Sequence, residues 1–205
     1  NEGKNTSFKI NSAIQKVLKK EWVPLVVIVI IAVLMADVIG KLTKTTSKDN
    51  SSKTTTKAAT YEAIADTMEF DISDDAIAFI NDNPQFFPGN SSNTGAISDH
   101  IDFSMDYAHV AKNPFKYSDR LMYVFGEVVD CQELEESGKT LTYVQIEDYS
   151  GYDYCVYYLG ELPNVFEGND VTVTFLPFNV ITFENIGGYY TKAIVGAACY
   201  VNYAE

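Results

Sequence analysis

The sequence predicts a mainly β protein, with a five-stranded Greek-key barrel in its C-terminal half, short helices before the barrel and one N-terminal transmembrane helix. Three observations lead to this prediction. A run of fifteen uncharged, mostly apolar residues begins at Trp22. A stretch rich in Lys, Ser and Thr follows that run. Beyond residue 98, apolar residues recur at every second position, which is the period of a β-strand.

The predicted transmembrane helix spans residues 22–42. Only Asp37 and Lys41 are charged within it, and its length is close to the roughly 20 residues that cross a bilayer. Trp22 stands where an interfacial aromatic residue belongs. A cleaved signal peptide is the competing interpretation, but Leu34 would then occupy a cleavage-site position that requires a small residue. We therefore predict an uncleaved anchor in the cell membrane.

The lysine counts on the two sides of the span are nearly balanced, with five within about twenty residues on each side. A short basic tail before a single span usually stays in the cytoplasm. We therefore expect residues 1–21 to be a cytoplasmic tail and the C-terminal part of this single-pass protein to be extracytoplasmic.

The charge is distributed unevenly along the 205 residues. Residues 1–44 contain seven lysines and three acidic residues, a net charge of +4, whereas the rest contains 8 basic and 25 acidic residues, a net charge of −17. A domain this acidic repels phosphate backbones, whose binding depends on Lys and Arg. We therefore expect no nucleic acid as a partner.

Residues 43–59 lack large apolar side chains and are predicted to form a flexible Ser/Thr/Lys linker. Residues 60–97 are predicted to be a helical segment. One helix within this segment is predicted to begin at Asp71 or Ser73 as N-cap and to stop at Asn83, before a proline. The acidic DISDD stretch fits helix capping better than a calcium loop, because the central Gly and terminal Glu of that loop are missing. NSSNTG, residues 90–95, is predicted to be a loop.

Residues 98–205 are predicted to form the barrel domain. Ile101, Phe103, Met105 and Tyr107 alternate with polar residues and predict a lead-in strand, and AHVAKNP predicts a short helical turn. ELEESGK and ITFENIGG are expected to be turns or loops, and Gly126 suggests a bulge. The five barrel strands are predicted at LMYVFGEVVDC, TLTYVQIED, YCVYYL, VTVTF and YYTKAIVGAACYVNY.

Five short strands, a bent first strand and a compact connection between the third and fourth strands fit a barrel of the OB type. An SH3-like barrel or the edge of a sandwich is the alternative.

Several segments resemble a family of Gram-positive bacterial membrane proteins of unknown function: NPFKYSDRLMYVFGEVVDC, LTYVQIED, YLGELPNVFEGNDVTVTFLP, FENIGG and, before the barrel, SDDAIAFINDNPQFFP. The resemblance covers residues 22–205. It implies an N-terminal zinc ribbon, one transmembrane helix, a helical segment and an exported OB-like barrel. This chain has no paired CxxC motifs, so a zinc ribbon either lies before Asn1 or is absent from this member. The family implies no catalytic residues.

The residues that could bind a metal or act as nucleophiles are few. Cys131, Cys155, Cys199, His100 and His109 do not have the spacing of a zinc site, and no glycine-rich phosphate loop is present. We expect no catalytic residue, metal or cofactor.

Strands three and five are neighbours in an OB barrel, so Cys155 and Cys199 could form a disulfide in an exported domain. Buried free thiols are the alternative.

A ligand-binding site, if present, is expected from fold analogy on the strand 2–3 face and the loops that join strands 1–2 and 4–5. The alternative is that the tyrosines of the barrel strands line the barrel wall with their hydroxyls in water. The candidate ligand-binding residues are Tyr143, Tyr152, Tyr157, Glu184, Asn185 and Tyr189.

The function that the sequence favours is a membrane-anchored extracytoplasmic binding or interaction module without catalysis, whose partner is an envelope protein or a polymer. The second hypothesis is a membrane-bound regulatory or sensor protein with the barrel as its input domain. The third is an extracellular hydrolase that uses Glu147, Asp148 or Asp153, although these acids bracket a predicted hairpin turn.

Overall fold

A computed structural model of the chain describes residues 56–136, 139–184 and 188–203. The predicted tail, the predicted transmembrane helix and nearly all of the predicted linker lie outside these residues. None of the helices that are described combines the length and the apolar character needed to cross a bilayer.

Five strands close into a barrel in the order β1-β2-β3-β5-β4. Only β3 and β5 pair in parallel, and the other four pairs are antiparallel. This is the five-stranded Greek-key arrangement of an OB-type barrel, so the predicted fold class of the barrel is confirmed. The strands are β1 (Met122–Glu136), β2 (Lys139–Asp148), β3 (Asp153–Tyr158), β4 (Asp170–Glu184) and β5 (Tyr190–Tyr203).

The barrel interior is filled by alternate side chains of the five strands, as the period of two predicts. Small aliphatic residues dominate it, and Val110 packs into the same cluster from a helix outside the sheet. This interior cluster also includes Val124, Val144, Ile146, Val156, Val171, Val173, Phe175 and Ile194.

In the described part of the chain, four α-helices precede the barrel: α1 (Lys57–Met68), α2 (Asp74–Asp82), α3 (Thr94–Ser98) and α4 (Tyr107–Lys112), with short 3₁₀ turns at Pro84–Phe86 and Pro114–Tyr117. The Ser73 hydroxyl accepts a hydrogen bond from the Ala76 amide and caps α2. The prediction that this helix starts at Ser73 and ends before Pro84 is therefore confirmed.

Helices α1 and α2 pack on the outside of the barrel. The Tyr61 ring is fully buried, with its centroid 5.6 Å from that of Phe178 on β4 and 6.1 Å from that of Phe87. Its hydroxyl donates to the carbonyl of Tyr157 at 3.4 Å. The helical segment and the outer faces of β3, β4 and β5 thus share one hydrophobic cluster.

The predicted lead-in strand at residues 101–107 is wrong. Ile101 forms only an isolated bridge with Leu121. The carboxylate of Asp102 accepts from the amide and hydroxyl of Ser104, which holds the chain in a turn. Asp106 then caps α4, so Tyr107 begins a helix. Hydrogen bonds between Asp and Ser side chains and nearby backbone groups therefore determine the structure of this segment, although its apolar residues alternate as in a strand.

Two strands are longer than predicted. Strand β1 continues through the polar ELEE residues to Glu136, because its outer face tolerates polar side chains. Strand β4 continues to Glu184, because it pairs with β5 along this whole length. The predicted loop at residues 90–95 also ends early, since α3 begins at Thr94. The bulge lies between Val128 and Asp130 rather than at Gly126.

Candidate functional site

Two of the predicted ligand-binding tyrosines lie side by side on the strand 2–3 face. Tyr143 on β2 and Tyr157 on β3 are cross-strand partners with ring centroids 5.7 Å apart. Tyr157 is only 1% exposed, and Tyr61 of α1 bonds to its carbonyl. The Tyr143 hydroxyl lies 3.2 Å from the sulfur of Cys155. Burial raises the pKa of both phenols. Helix α1 therefore covers Tyr157, whereas Tyr143 is only partly buried, and a ligand contact of Tyr143 stays a prediction.

Tyr152 lies in a different place, at the start of β3. Its ring stacks on that of Tyr107 with a centroid distance of 4.2 Å and an interplanar angle of 7°. The Tyr107 hydroxyl donates to the carbonyl of Lys192 at 2.8 Å, so Tyr152 is held beside the base of the β4–β5 hairpin. Because the Tyr152 ring is stacked on Tyr107 of α4, it helps to pack this helix onto the barrel.

The remaining predicted residues belong to the β4–β5 hairpin. The side chain of Glu184 is exposed at the end of β4, and Tyr189 is 75% exposed. Asn185 lies outside the described residues. The structure therefore places Tyr143 and Tyr157 side by side on β2 and β3, and the other described candidates near the β4–β5 hairpin. It does not bring them together as one site.

The possible disulfide between Cys155 and Cys199 is not formed, and all three cysteines are free thiols, which was the alternative. Cys155 lies opposite Val195 in the parallel β3–β5 pair, four residues from Cys199. Four residues of strand correspond to about 13 Å, whereas a disulfide needs α-carbons within about 7 Å. Burial raises the pKa of Cys155 to about 12 and places the pKa of Cys199 well above its ordinary value.

Two of the polar residues considered for catalysis, Asp148 and His109, have structural partners. Both carboxylate oxygens of Asp148 are used in the β2–β3 turn: one accepts from the amides of Ser150 and Tyr152, and the other from the hydroxyl of Tyr154. The ring nitrogen Nδ1 of His109 lies 2.7 Å from Asp106 at the start of α4. In the described part of the chain, no three His, Cys, Asp or Glu side chains converge as a metal site.

An exposed aromatic stripe runs along the outer face of β1. We define it as Phe103, Tyr123, Phe125 and Tyr149, which are 78%, 46%, 43% and 68% exposed. Ring centroids are 6.3 Å apart for Phe103 and Tyr123, and 5.3 Å apart for Phe125 and Tyr149. The four rings thus form two adjacent pairs on one side of the barrel.

The strand geometry explains why these rings point outward. Met122 and Val124 fill the barrel interior, so the residues between and after them, Tyr123 and Phe125, project to the other face. Their partners on β4 are Thr174 and Thr172, whose short side chains do not cover the rings. The stripe is not among the predicted site residues, because apolar residues occupy both sets of alternate positions in LMYVFGEVVDC. The signal was present: aromatic residues alternate there with aliphatic ones.

A row of four carboxylates crosses the sheet beside the stripe. Glu147 on β2 lies opposite Asp153 on β3 and also opposite Glu127 on β1, and Glu127 lies opposite Asp170 on β4. We call these four residues the carboxylate row. Each strand pair in the row therefore places two acidic residues directly opposite each other, which is destabilising in a sheet.

No member of the carboxylate row forms an ion pair with a basic residue within the described part of the chain. The ion pairs found there join Arg120 to Asp102 and Asp119, and His109 to Asp106. Two members of the row, Asp153 and Asp170, accept hydrogen bonds from neutral side chains instead. The amide nitrogen of Gln145 donates to Asp153 at 2.8 Å, and burial raises the pKa of the Asp153 carboxyl.

The stripe and the row meet at a surface pocket. The Tyr149 hydroxyl donates to the Asp170 carboxylate at 2.6 Å, which fixes that ring at the end of the row. The pocket has a volume of about 600 Å³ and is lined by Glu127, Val129, Glu147, Asp148, Tyr149, Ser150 and Gly151. We call the stripe, the row and this pocket the aromatic–acidic face. It offers flat apolar contacts and negative charge that no basic residue of the described chain neutralises.

Comparisons with known proteins are limited to the fold. No protein-family model matches the chain, and no curated protein matches it. Three solved structures match with low similarity, each over 42% of this chain. The mitochondrial single-stranded DNA-binding protein of S. cerevisiae has 15% identity, a TM-score of 0.30 and 92% of its own chain covered. The second OB-fold domain of replication protein A from Methanococcus maripaludis has 14% identity, a TM-score of 0.26 and 83% coverage.

The third match is an OB domain from Thermoplasma acidophilum, with 16% identity, a TM-score of 0.24 and 76% of that chain covered. Likenesses this distant extend to the fold alone. The closure and strand order of its own five-stranded sheet give this chain an OB-type barrel.

Proposed function

We propose that the protein is a membrane-anchored binding module without catalytic activity, which displays its barrel outside the cytoplasm and contacts an envelope protein or polymer through the aromatic stripe. The observation that carries this proposal is the clustering of four exposed aromatic rings on one strand and the adjacent turns. Contiguous exposed apolar surface of this kind marks interaction sites in soluble domains.

The position of the stripe supports the proposal. Helices α1 and α2 cover the outer faces of β3, β4 and β5, whereas Tyr123 and Phe125 on β1 stay open to solvent. Rigid aromatic side chains supply large contact areas with little loss of conformational entropy, and they are enriched at binding interfaces. Because strand backbone holds the two rings, they are preorganised for a partner.

The anchoring part of the proposal rests on the sequence. Residues 22–42 have the length and hydropathy of a single span, and the polar residues that follow would separate the barrel from the membrane. The absence of catalysis is supported by the use of Asp148 and His109 as structural groups.

The proposal is tested by using the purified full chain in detergent as bait for solubilised Gram-positive cell envelope. The test variant is Phe125→Ser/Tyr149→Ser. The matched control is Phe166→Ser/Tyr190→Ser, which removes two exposed rings that do not belong to the stripe. We expect at least tenfold less of the captured component with the test variant and recovery within twofold of wild type with the control. Equal recovery with both variants would contradict a binding role for the stripe.

A further inference from the structure

We infer that the aromatic–acidic face docks a basic polypeptide segment, one that carries several lysine or arginine side chains in extended conformation. This inference rests on the proposed function, since it assigns a chemical class to the partner of the same face. The aromatic stripe marks the docking surface, and the charge around the stripe identifies the occupant.

The charge on this face is not balanced from within the described chain. The sole arginine of the sequence, Arg120, is already paired with Asp102 and Asp119. Among the strand residues, only Lys139 and Lys192 are basic, and neither forms an ion pair with the carboxylate row. A cationic partner would relieve the repulsion between opposed carboxylates, which makes the face complementary in charge to a basic segment.

The spacing of the row fits an extended segment. Neighbouring strands lie about 4.8 Å apart, so carboxylates on four successive strands, from Asp153 to Asp170, span roughly 14 Å. In an extended peptide, side chains on one face recur about every 6.7 Å, and three of them therefore span about 13 Å. A segment that crosses the strands can place alternate lysines along the whole row.

The stripe adds a second mode of contact for the same side chains. Phe125 precedes Glu127 by two residues on the same face of β1, and Tyr149 contacts both the Phe125 ring and the Asp170 carboxylate. A cation is attracted to an aromatic face as well as to a carboxylate, and the methylene stems of lysine and arginine pack on apolar surface. Single-stranded nucleic acid could also stack on the rings, but the carboxylate row would repel its phosphates.

The inference is tested by fluorescence anisotropy with the full chain in non-ionic detergent and a labelled twelve-residue peptide of alternating lysine and serine. The same peptide with glutamate in place of lysine, and a fifteen-nucleotide oligo-dT, serve as comparison probes. The test variants are Glu127→Gln/Glu147→Gln and Phe125→Ser/Tyr149→Ser. The matched control is Glu62→Gln/Asp66→Asn, which removes the same two charges from the exposed side of α1.

We expect the lysine peptide to bind and the other two probes not to bind. Affinity should fall at least fivefold in Glu127→Gln/Glu147→Gln and in Phe125→Ser/Tyr149→Ser, and stay within twofold of wild type in the control, with circular dichroism showing that all variants are folded. Binding to wild type should also weaken as salt rises, and less steeply in the Glu127→Gln/Glu147→Gln variant.

Three outcomes would overturn the inference: no binding of the lysine peptide, equal weakening by the α1 control, or preferential binding of oligo-dT. These are separable from failure of the proposed function. If Phe125→Ser/Tyr149→Ser loses the envelope component while the lysine peptide does not bind, the proposed function stands and the basic partner is wrong. If the peptide binds through the row but the envelope component is retained by that variant, the proposed function fails.

Discussion

Glu127 occupies a position where a carboxylate weakens the fold. It lies between Glu147 and Asp170 on the neighbouring strands, and like charges directly opposite each other destabilise a sheet by a few tenths of a kcal/mol to about 1 kcal/mol. A residue that costs stability at an exposed position is expected where binding requires it.

Replacing Glu127 with Gln should therefore stabilise the protein while weakening binding of the lysine peptide. We expect the free energy of unfolding to rise by about 0.5 kcal/mol, because two repulsive cross-strand contacts are removed at constant volume. Urea denaturation of the full chain measures this change. Glu62→Gln on the exposed side of α1 is the control and should change stability less. A fall in stability on replacing Glu127 would mean that the carboxylate row supports the fold.

Gly126 allows β1 and β2 to approach closely. A Cβ atom built at this position would clash with the carbonyl oxygen of Glu147 on β2, and backbone atoms cannot rotate away as a side chain can. Gly126→Ala should lower stability by about 1–3 kcal/mol, measured as the midpoint of thermal or urea unfolding. Gly95→Ala, where a Cβ would meet nothing within 4 Å, should leave the midpoint unchanged or raise it. Similar midpoints for the two variants would show that the strands have room to separate.

The three thiols should react slowly in the folded protein. Cys155 and Cys199 are buried, and burial, aided by Glu133 and Asp130, raises the pKa of Cys131 to about 11. The rate of Cys131 alkylation should therefore rise about tenfold per pH unit between pH 8 and pH 10, as its thiolate fraction grows. All three thiols should react rapidly in guanidinium chloride.

The same pKa shift sets a pH dependence of stability. A thiol whose pKa is raised on folding favours the folded state fully below its unfolded pKa of about 8.5 and loses this contribution as pH rises toward the folded value. Stability should thus decline above about pH 8.5. Fast labelling of all three native thiols at pH 8, or a mass two units lower for a disulfide-bonded chain, would contradict this description of the cysteines.

At the scale of the elements, helix α1 determines which face of the barrel is open. OB-type barrels commonly bind ligands on the strand 2–3 face, but here Tyr61 packs above Tyr157 and contacts Phe178. The helix therefore closes one surface and leaves the outer face of β1 as the exposed aromatic surface.

Truncation of the Tyr61 ring should destabilise the barrel and not only the helix. We expect Tyr61→Ala to reduce the free energy of unfolding by about 3–5 kcal/mol, the usual cost of removing a buried aromatic ring. Glu62→Ala, one residue away and exposed, is the control and should cost less than 1 kcal/mol. Unfolding is measured by urea titration with near-ultraviolet circular dichroism of the barrel tyrosines. An unchanged barrel transition would show that α1 is an independent unit.

The elements that the sequence predicted well are those whose apolar period agrees with their tertiary environment. The five barrel strands have an inner face of Val, Ile and Phe, and Ser73 with Asn83 marks both ends of α2. The strand predicted from the period of two at residues 101–107 is wrong, because Asp102 and Asp106 form hydrogen bonds with local backbone groups there. The burial of Tyr157 could not be predicted, because it comes from a contact with Tyr61, almost a hundred positions away, which no local pattern reports.

At the scale of the whole molecule, charge and anchoring determine which partners can reach the barrel. The net charge of −17 after residue 44 attracts basic partners over the Debye length and repels anionic ones. The same domain, if it follows an uncleaved span with a cytoplasmic tail, faces the cell envelope.

The proposed topology predicts that external protease will remove a C-terminal tag from intact cells lacking a peptidoglycan barrier, because it places the barrel on the outer side of the membrane. A tag on the N-terminal tail should survive until the cells are lysed. Protection of the C-terminal tag in intact cells, with digestion after lysis, would place the barrel in the cytoplasm.

The most direct test of the central claim is site-specific photo-crosslinking of the full chain with benzoylphenylalanine, which replaces one exposed aromatic residue by another. We predict a crosslink to the alternating lysine–serine peptide, and to the envelope component, from position 125 on the stripe. We predict none from position 166 or 190, whose rings are 63% and 76% exposed and lie outside the stripe. Crosslinks from position 190 but not 125 would assign binding to the β4–β5 hairpin and contradict a binding role for the aromatic–acidic face.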